Sequence, residues 1–294
     1  MIKVSLWNDR LFISHNRKEI TMVKGLALTI GLNSVDLQHY VGWSGSLNAA
    51  ETDAKSMANI AKSKGFQVKT LLTKQVTRGQ VVAEISSAAT ELMSGDIFLL
   101  CYSGHGGQVP DVNHDEKKGL ADTWCLYDGQ LIDDELNNLF SPFPEGVRSL
   151  VFSDSCHSGT VTKEAFIGGT FLPPSTIDSQ AARHKFLPRY NATKTYKKNK
   201  DFYDAILADL ERKEVRASVL LISGCQDNQE ASDGIINSLF TATLLKVWDN
   251  GNFNGDYKSF HHEILKLMPE QQTPNYFWNG EPSPIFEKQK PFTI

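Results

Sequence analysis

The chain has 294 residues, of which 40% are hydrophobic and 22% are charged, and its formal net charge is −4. This composition is typical of a soluble globular protein with one large or two small domains and a substantial buried core. The small negative charge argues against nucleic-acid binding. The sequence contains no run of about 18 apolar residues that could span a membrane.

The four cysteines stand at positions 101, 125, 156 and 225, with no CxxC pair among them, and the N-terminus lacks the apolar segment of a signal peptide. We therefore expect reduced thiols in a cytoplasmic protein. A cysteine is by default a small buried hydrophobe, and this interpretation is favoured for Cys101 and Cys125, which lie in strand-like runs.

Apolar runs and amphipathic segments alternate along the chain. Strands are predicted at 24–33, 66–73, 96–104, 122–129, 147–155 and 217–225, and helices at 48–65, 77–95, 133–140, 201–214, 237–251 and 259–269. This alternation predicts an α/β fold, with a mostly parallel sheet of about six strands flanked by helices on both faces.

Residues 163–216 interrupt the alternation. Between residues 163 and 200 there are eight Lys or Arg and only two acids, with many Pro, Ser and Thr. We predict a long exposed basic insert, for which a solvated loop is the simplest interpretation. The remaining organisation is an N-terminal extension at 1–23, without a functional interpretation, and one domain over 24–294 whose halves are 24–162 and 217–294.

Polar, chemically active residues follow three of the predicted strands. The third strand ends in "YSGHGG", the fifth in "SDSCHSG" and the sixth in "SGCQDNQ". Because the carboxyl ends of parallel strands meet at one edge of a sheet, these segments are expected to lie together and to form the site.

Cys156 is the candidate nucleophile of this site. A cysteine attacks as its thiolate and therefore needs a base, and His105, flanked by glycines about 50 residues upstream, is the best candidate. His157 is a rival base, but adjacent residues usually point apart. The backbone N–H groups of Gly106 and Cys156 are the expected donors to the oxyanion of an acyl transfer.

The combination of "YSGHGG" and "DSCHSG" resembles the metacaspase branch of the caspase-like cysteine peptidases. The resemblance runs from about residue 24 to 275 and includes "LNAAETDAKSMANIAKSKGFQV", "DDEL", "ISGCQDNQEASD" and "QQTP". It implies a six-stranded caspase-like fold, a usually monomeric endopeptidase, and a dyad of His105 and Cys156 that cleaves protein substrates after Arg or Lys. Residues 24–162 and 217–294 then match the large and small subunits. The alternatives are a catalytically silent binding module and a self-cutting regulatory peptidase with a single partner.

Two acids indicate the substrate preference. Asp154 lies two residues before the candidate nucleophile and Asp227 lies at the neighbouring strand end, so both could pair with a cationic side chain and repel an acidic one. The resemblance places Ser103 in the same pocket. Asp154 could instead cap a turn. The Asp-Ser-Cys context differs from the Gln-Ala-Cys of caspases, which argues against cleavage after Asp.

The resemblance also implies activation by calcium through a cluster of aspartates, although the chemistry itself needs no cofactor. Asp122, Asp133 and Asp134 match part of that cluster, but the place of a further acid is taken by Lys163, with Glu164 beside it. A lysine is a poor neighbour for a hard cation, which weighs against calcium dependence, and "DDEL" is also a helix-cap pattern.

An enzyme that cuts after Lys or Arg could cut its own basic insert. We therefore predict self-cleavage between residues 183 and 200. The candidate sites are Lys185, Arg189, Lys197, Lys198 and Lys200.

Overall fold

The computed structural model describes residues 23–110, 119–155, 184–208, 210–225 and 231–294. Five residues singled out from the sequence, Cys156, His157, Lys163, Glu164 and Asp227, lie outside the described residues, as does the N-terminal extension up to residue 22.

A six-stranded sheet forms the centre of the fold. With strands numbered along the chain, it contains β1 (Gly25–Gly31), β2 (Gln67–Leu72), β3 (Ile97–Ser103), β7 (Arg148–Asp154), β8 (Ser218–Ser223) and β9 (Asn275–Gly280), in the spatial order β2-β1-β3-β7-β8-β9. The first five are parallel and β9 is antiparallel to β8. The predicted α/β fold with a mostly parallel sheet is confirmed.

A second, antiparallel sheet contains β4 (Gly106–Pro110), β5 (Leu120–Leu126) and β6 (Gly129–Ile132). The assignment of 122–129 to the main sheet is wrong, because these residues form most of β5 and the turn that joins it directly to β6. The sixth strand of the main sheet is β9 instead. Its sequence "NYFWNG" has no apolar alternation because it is a half-exposed edge strand.

Helices cover both faces of the main sheet. They are α1 (Ala50–Ser63), α2 (Arg78–Glu91), α3 (Asp133–Phe140), α6 (Leu239–Trp248), α7 (Tyr257–Leu267) and α8 (Pro284–Glu287). Two further helices, α4 (Arg189–Lys198) and α5 (Lys200–Ala208), pack against the second sheet. Along β3, Phe98 and Leu100 pack in the core under α2 and α3, whereas Ile97 and Leu99 pack in the core under α1, α6 and α7. This double burial explains the uninterrupted apolar run of β3. Among the described residues, no helix is long and apolar enough to cross a membrane.

The described part of the basic insert is folded, which corrects the prediction of an exposed loop before residue 201, whereas the helix predicted at 201–214 is present as α5. This part of the insert contains α4 and α5, and Tyr203 and Leu207, one turn apart on α5, are buried against the second sheet. Lys185, before α4, is 0% exposed. The insert folds here because Tyr203 and Leu207 cover Val109 and Ile132 of the small sheet, which a solvated loop would leave uncovered.

Candidate active site

His105 lies in the short connection between β3 and β4 and is almost fully buried. Its Nε2 is 3.0 Å from the backbone oxygen of Gly45, and because a carbonyl can only accept, Nε2 carries the proton. Nδ1 is buried and has no hydrogen-bond partner in the described part of the chain. The ring of Trp43 packs edge-on against the imidazole, with ring centroids 4.7 Å apart. Gly45 and Trp43 thus hold the imidazole with Nδ1 free to accept a proton.

The pKa of His105 is lowered to about 4, chiefly because a charged imidazolium loses its hydration when it is buried. The positive charge of Lys185 also lowers this pKa, and the hydrogen bond to Gly45 opposes the shift. His105 is therefore neutral at pH 7. A neutral imidazole is the state that a general base needs before proton transfer.

An NMR titration of the imidazole in the Cys156→Ala variant checks this environment. We expect His105 to titrate near pH 4 in the folded protein, and near the ordinary value of about 6.5 when the same sample is unfolded in urea. Because the unfolded state binds the proton more readily, folding stability should fall as the pH drops from 6.5 towards 4. A pKa of 6.5 or higher in the folded protein would contradict the buried, Gly45-bound geometry.

The backbone N–H of Gly106, predicted as an oxyanion donor, donates to the backbone carbonyl of Lys185 at 3.0 Å. On the other side, the N–H of Lys185 donates to the carbonyl of Ala231 at 3.0 Å, and His184 forms an antiparallel bridge with Ser232. The insert therefore passes through the site in an extended conformation, bonded through its backbone on both sides. Extended peptides are bound by enzymes and adaptor domains in this way.

The side chain of Lys185 fills an anionic pocket. Its Nζ is 2.8 Å from Ser103 Oγ, 3.2 Å from Asp53 Oδ2 and 3.1 Å from Asp154 Oδ1. Ser103 and Asp154 are the residues predicted for this pocket, and they stand opposite each other at the ends of the paired strands β3 and β7. The structure thus brings both together around a lysine of the same chain.

The pocket carboxylates are held in place by the segment that leads into α6. The hydroxyls of Ser238 and Thr241 donate to Asp154 Oδ2, the latter at 2.7 Å. The backbone N–H of Ser238 and the amide of Asn237 donate to Asp53 Oδ1 at 3.0 and 2.9 Å. Because these donors fix both carboxylates, the pocket is preorganised for a cation.

The ammonium of Lys185 and the carboxylates of Asp53 and Asp154 influence one another's pKa. Burial would lower the pKa of Lys185, but Asp154 and Asp53 outweigh it and the pKa is raised, so the ammonium stays charged. Burial raises the pKa of Asp154, and neighbouring Asp53 raises it further against the pull of Lys185. Two carboxylates share one ammonium, so the pocket without a cation carries an unbalanced negative charge.

Asp53 is a pocket residue that the sequence analysis missed, because an acid early in α1 also suits the helix dipole. A signal was present, since Asp53 shares the buried face of α1 with Ala50, Ala54 and Met57. An acid within an apolar stripe indicates a buried, paired carboxylate. Lys185 is predicted from the sequence only as an exposed cleavage candidate.

The described range that precedes the candidate nucleophile ends at Ser155, which is fully buried. Cys156 and Asp227 lie outside the described residues, so their roles stay predictions. Cys101 and Cys125 are buried, and burial raises the pKa of both thiols well above its usual range. Both are therefore poor nucleophiles, as expected for packed thiols.

Two of the residues matched to a calcium cluster contact other side chains in the described structure. Asp134 pairs with Arg212 at 3.7 Å, and Asp122 accepts a hydrogen bond from Gln108 at 2.9 Å. Within the described ranges, no group of three acidic, histidine or cysteine side chains could hold a metal ion. "DDEL" begins α3, where Glu135 accepts the N–H of Ile132.

Comparisons with known proteins agree with this fold. A family model described as "Caspase domain" matches residues 24–292. Metacaspase-1 of Mycosarcoma maydis is 27% identical over 75% of this chain, and metacaspase-1 of Saccharomyces cerevisiae is 25% identical over 83%. The matches cover 61% and 60% of those proteins, so the chain spans about three fifths of their length.

Two solved structures are also similar. Protein GSU0716 from Geobacter sulfurreducens is 52% identical, with a TM-score of 0.84 over 92% of this chain and 99% of that one. Caspase-1 from Spodoptera frugiperda is 13% identical, with a TM-score of 0.52 over 88% of this chain and 86% of that one, which supports the fold alone. From the match to the family model and the caspase-like architecture, the chain belongs to the caspase-domain family of cysteine-type peptidases and resembles metacaspases within it.

Proposed function

We propose that this protein is a cysteine endopeptidase that cleaves protein substrates after Lys or Arg, and that it cleaves its own insert after Lys185. The observation that carries the proposal is the position of Lys185, with its ammonium between Asp53 and Asp154 and its carbonyl on the Gly106 N–H. This is the geometry of a substrate residue at the cleavage position.

The proposed chemistry is acyl transfer through Cys156. The thiol gives its proton to His105 Nδ1 as sulfur attacks the carbonyl carbon, and the N–H groups of Gly106 and Cys156 stabilise the oxyanion. His105 then protonates the leaving amine, which departs with the C-terminal part of the substrate. Water, deprotonated by His105, hydrolyses the thioester and restores the thiol.

The specificity follows from charge. A lysine or arginine side chain balances the two pocket carboxylates, as Lys185 does, and Ser103 accepts a hydrogen bond from it. An aspartate would add a third negative charge to a buried site, which costs several kcal/mol. Asp227 is proposed as a further pocket acid on the basis of the resemblance.

The other self-cleavage candidates are less suitable. Lys197 and Lys198 lie on α4 and Lys200 begins α5, all exposed but helical, and Arg189 begins α4. A helical backbone cannot form the strand-like pairing that Lys185 and its neighbours make. Lys185 is therefore the proposed cleavage position.

Hydrolysis of matched fluorogenic peptides ending in Arg, Lys or Asp tests the proposed function, using wild type and Cys156→Ala. We expect turnover of the Arg and Lys peptides by wild type only. Turnover of the Asp peptide would overturn the pocket assignment. Absence of all turnover, with and without calcium, would favour the catalytically silent alternative.

The same assay tests whether the activity depends on calcium. Because Lys163 stands where the resemblance expects a further acid, we propose that the chemistry proceeds in the presence of a chelator. Activity that appears only with added calcium would contradict this.

A further inference from the structure

Leu187, two residues after Lys185, occupies a separate apolar pocket. It is 2% exposed and packs in a cluster with Val35, Tyr40 and Cys125, all buried. This cluster, called here the Leu187 pocket and defined by Val35, Tyr40 and Cys125, is distinct from the two cores that flank the main sheet.

The Leu187 pocket is tied to the proposed cleavage position by one residue. Gly106 donates its N–H to the carbonyl of Lys185 and accepts the N–H of Leu187 at 2.7 Å. Both ends of the Lys185–Phe186–Leu187 segment are therefore hydrogen-bonded to the backbone of Gly106. A peptide held like this segment would place its second residue after the cut in the Leu187 pocket.

The three buried walls of this pocket do not belong to the insert, although Ala192 of α4 also packs against the cluster. Val35 and Tyr40 lie in the segment between β1 and α1, and Cys125 lies on β5. The hydroxyl of Tyr40 donates to the carbonyl of Leu126 at 2.8 Å, and the N–H of Val35 donates to the carbonyl of Ser44 at 3.0 Å. Because these bonds hold the walls without Leu187, its departure would leave a leucine-sized apolar cavity.

The position of Phe186 differs from that of Leu187. Phe186 is only half-buried: it packs against Cys225 and Ala231 and borders an open groove of about 460 Å³, which Leu187 also lines. The side chain of Phe186 is therefore only partly enclosed, whereas that of Leu187 is 2% exposed. Stronger selectivity is therefore expected at the second position than at the first.

We propose that the Leu187 pocket is a substrate subsite that selects a leucine-like aliphatic side chain two residues after the cleaved bond. This rests on the proposed function, because it takes Lys185 as the residue before the cut. The substrates implied are proteins with Lys or Arg, then a weakly restricted residue, then Leu or a similar aliphatic residue. An acidic or small residue there would lose the burial that Leu187 has.

Internally quenched peptides that carry the sequence His-Lys-Phe-Leu-Pro-Arg of the insert test the subsite with the wild-type enzyme. Replacing Leu by Ala should lower kcat/KM about 10- to 100-fold, and replacing it by Asp should lower it further. Replacing Phe by Ala should change kcat/KM less than about threefold. Equal rates for Leu, Ala and Asp peptides would overturn the subsite.

A second variant separates a subsite from a merely structural contact. Val35→Leu makes the pocket smaller, so the ratio of kcat/KM for the Leu peptide to that for the Ala peptide should fall by about tenfold. An unchanged ratio would overturn the proposal.

A fluorogenic Lys peptide with no residue after the cut serves as reference. If that reference is not hydrolysed, the proposed function has failed; if it is hydrolysed without the Leu preference, only the subsite has.

Discussion

Replacing Lys185 by glutamine is expected to abolish cleavage of the chain between residues 185 and 186. Glutamine leaves Asp53 and Asp154 without the ammonium that now lies 3.2 and 3.1 Å from them. The backbone would then lose the anchor that holds its carbonyl on Gly106. Separation of the fragments on a denaturing gel, followed by their masses, measures the result.

The same variant should also be less stable. Removal of one partner from a buried ion pair costs about 3–5 kcal/mol, because the remaining charge stays buried. We expect a loss of this size in the free energy of unfolding at pH 7, measured by urea denaturation in the Cys156→Ala background, where the chain stays intact.

Lys185→Arg keeps the charge and should retain the cleavage. Lys197→Gln, an exposed lysine on α4, should change neither quantity. Cleavage of Lys185→Gln at the wild-type rate would remove Lys185 from the site.

The second large effect is expected on kcat/KM when a carboxylate of the pocket is replaced by an amide. Asp154→Asn should lower kcat/KM for a Lys peptide by about 10²- to 10³-fold, because the substrate cation loses a buried charged partner worth about 2–5 kcal/mol. Asp53→Asn should act in the same direction, since Asp53 contacts the same ammonium. The measurement is the steady-state rate over a range of peptide concentrations.

A matched control is available for this experiment. Asp233 is also a buried aspartate, but its carboxylate accepts the backbone N–H groups of Asn48 and Ala49 before α1 and not the ammonium of Lys185. Asp233→Asn should therefore leave kcat/KM within a few-fold of wild type. If it lowers the rate as much as Asp154→Asn does, the losses would reflect general damage to the fold and not the loss of a substrate contact.

The chemistry-bearing strand ends could be predicted because local signals mark them. Ser103, His105 and Asp154 follow long apolar runs, and a change from apolar to polar and glycine residues indicates the end of a buried strand. The parallel pairing of β3 with β7 then brings these residues together. Each strand end is therefore marked by a local pattern, and the alternation of strands and helices predicts that these ends share one edge of the sheet.

The occupant of the pocket could not be predicted in the same way. A lysine in a basic, Pro-rich segment is typical of an exposed loop, and only carboxylates from positions 53 and 154 make its burial favourable. Those contacts span 132 residues in the case of Asp53. Strand β9 was missed for a related reason, since a half-exposed edge strand depends on its pairing with β8 and not on its own apolar pattern.

The most direct test is the intact mass of purified wild-type protein and of Cys156→Ala after the same incubation at neutral pH, with calcium and with chelator. We predict that the wild type yields two fragments, residues 1–185 and 186–294, and that Cys156→Ala remains a single chain. An uncut wild-type chain under both conditions, or identical fragments from Cys156→Ala, would contradict a cysteine-dependent cut after Lys185.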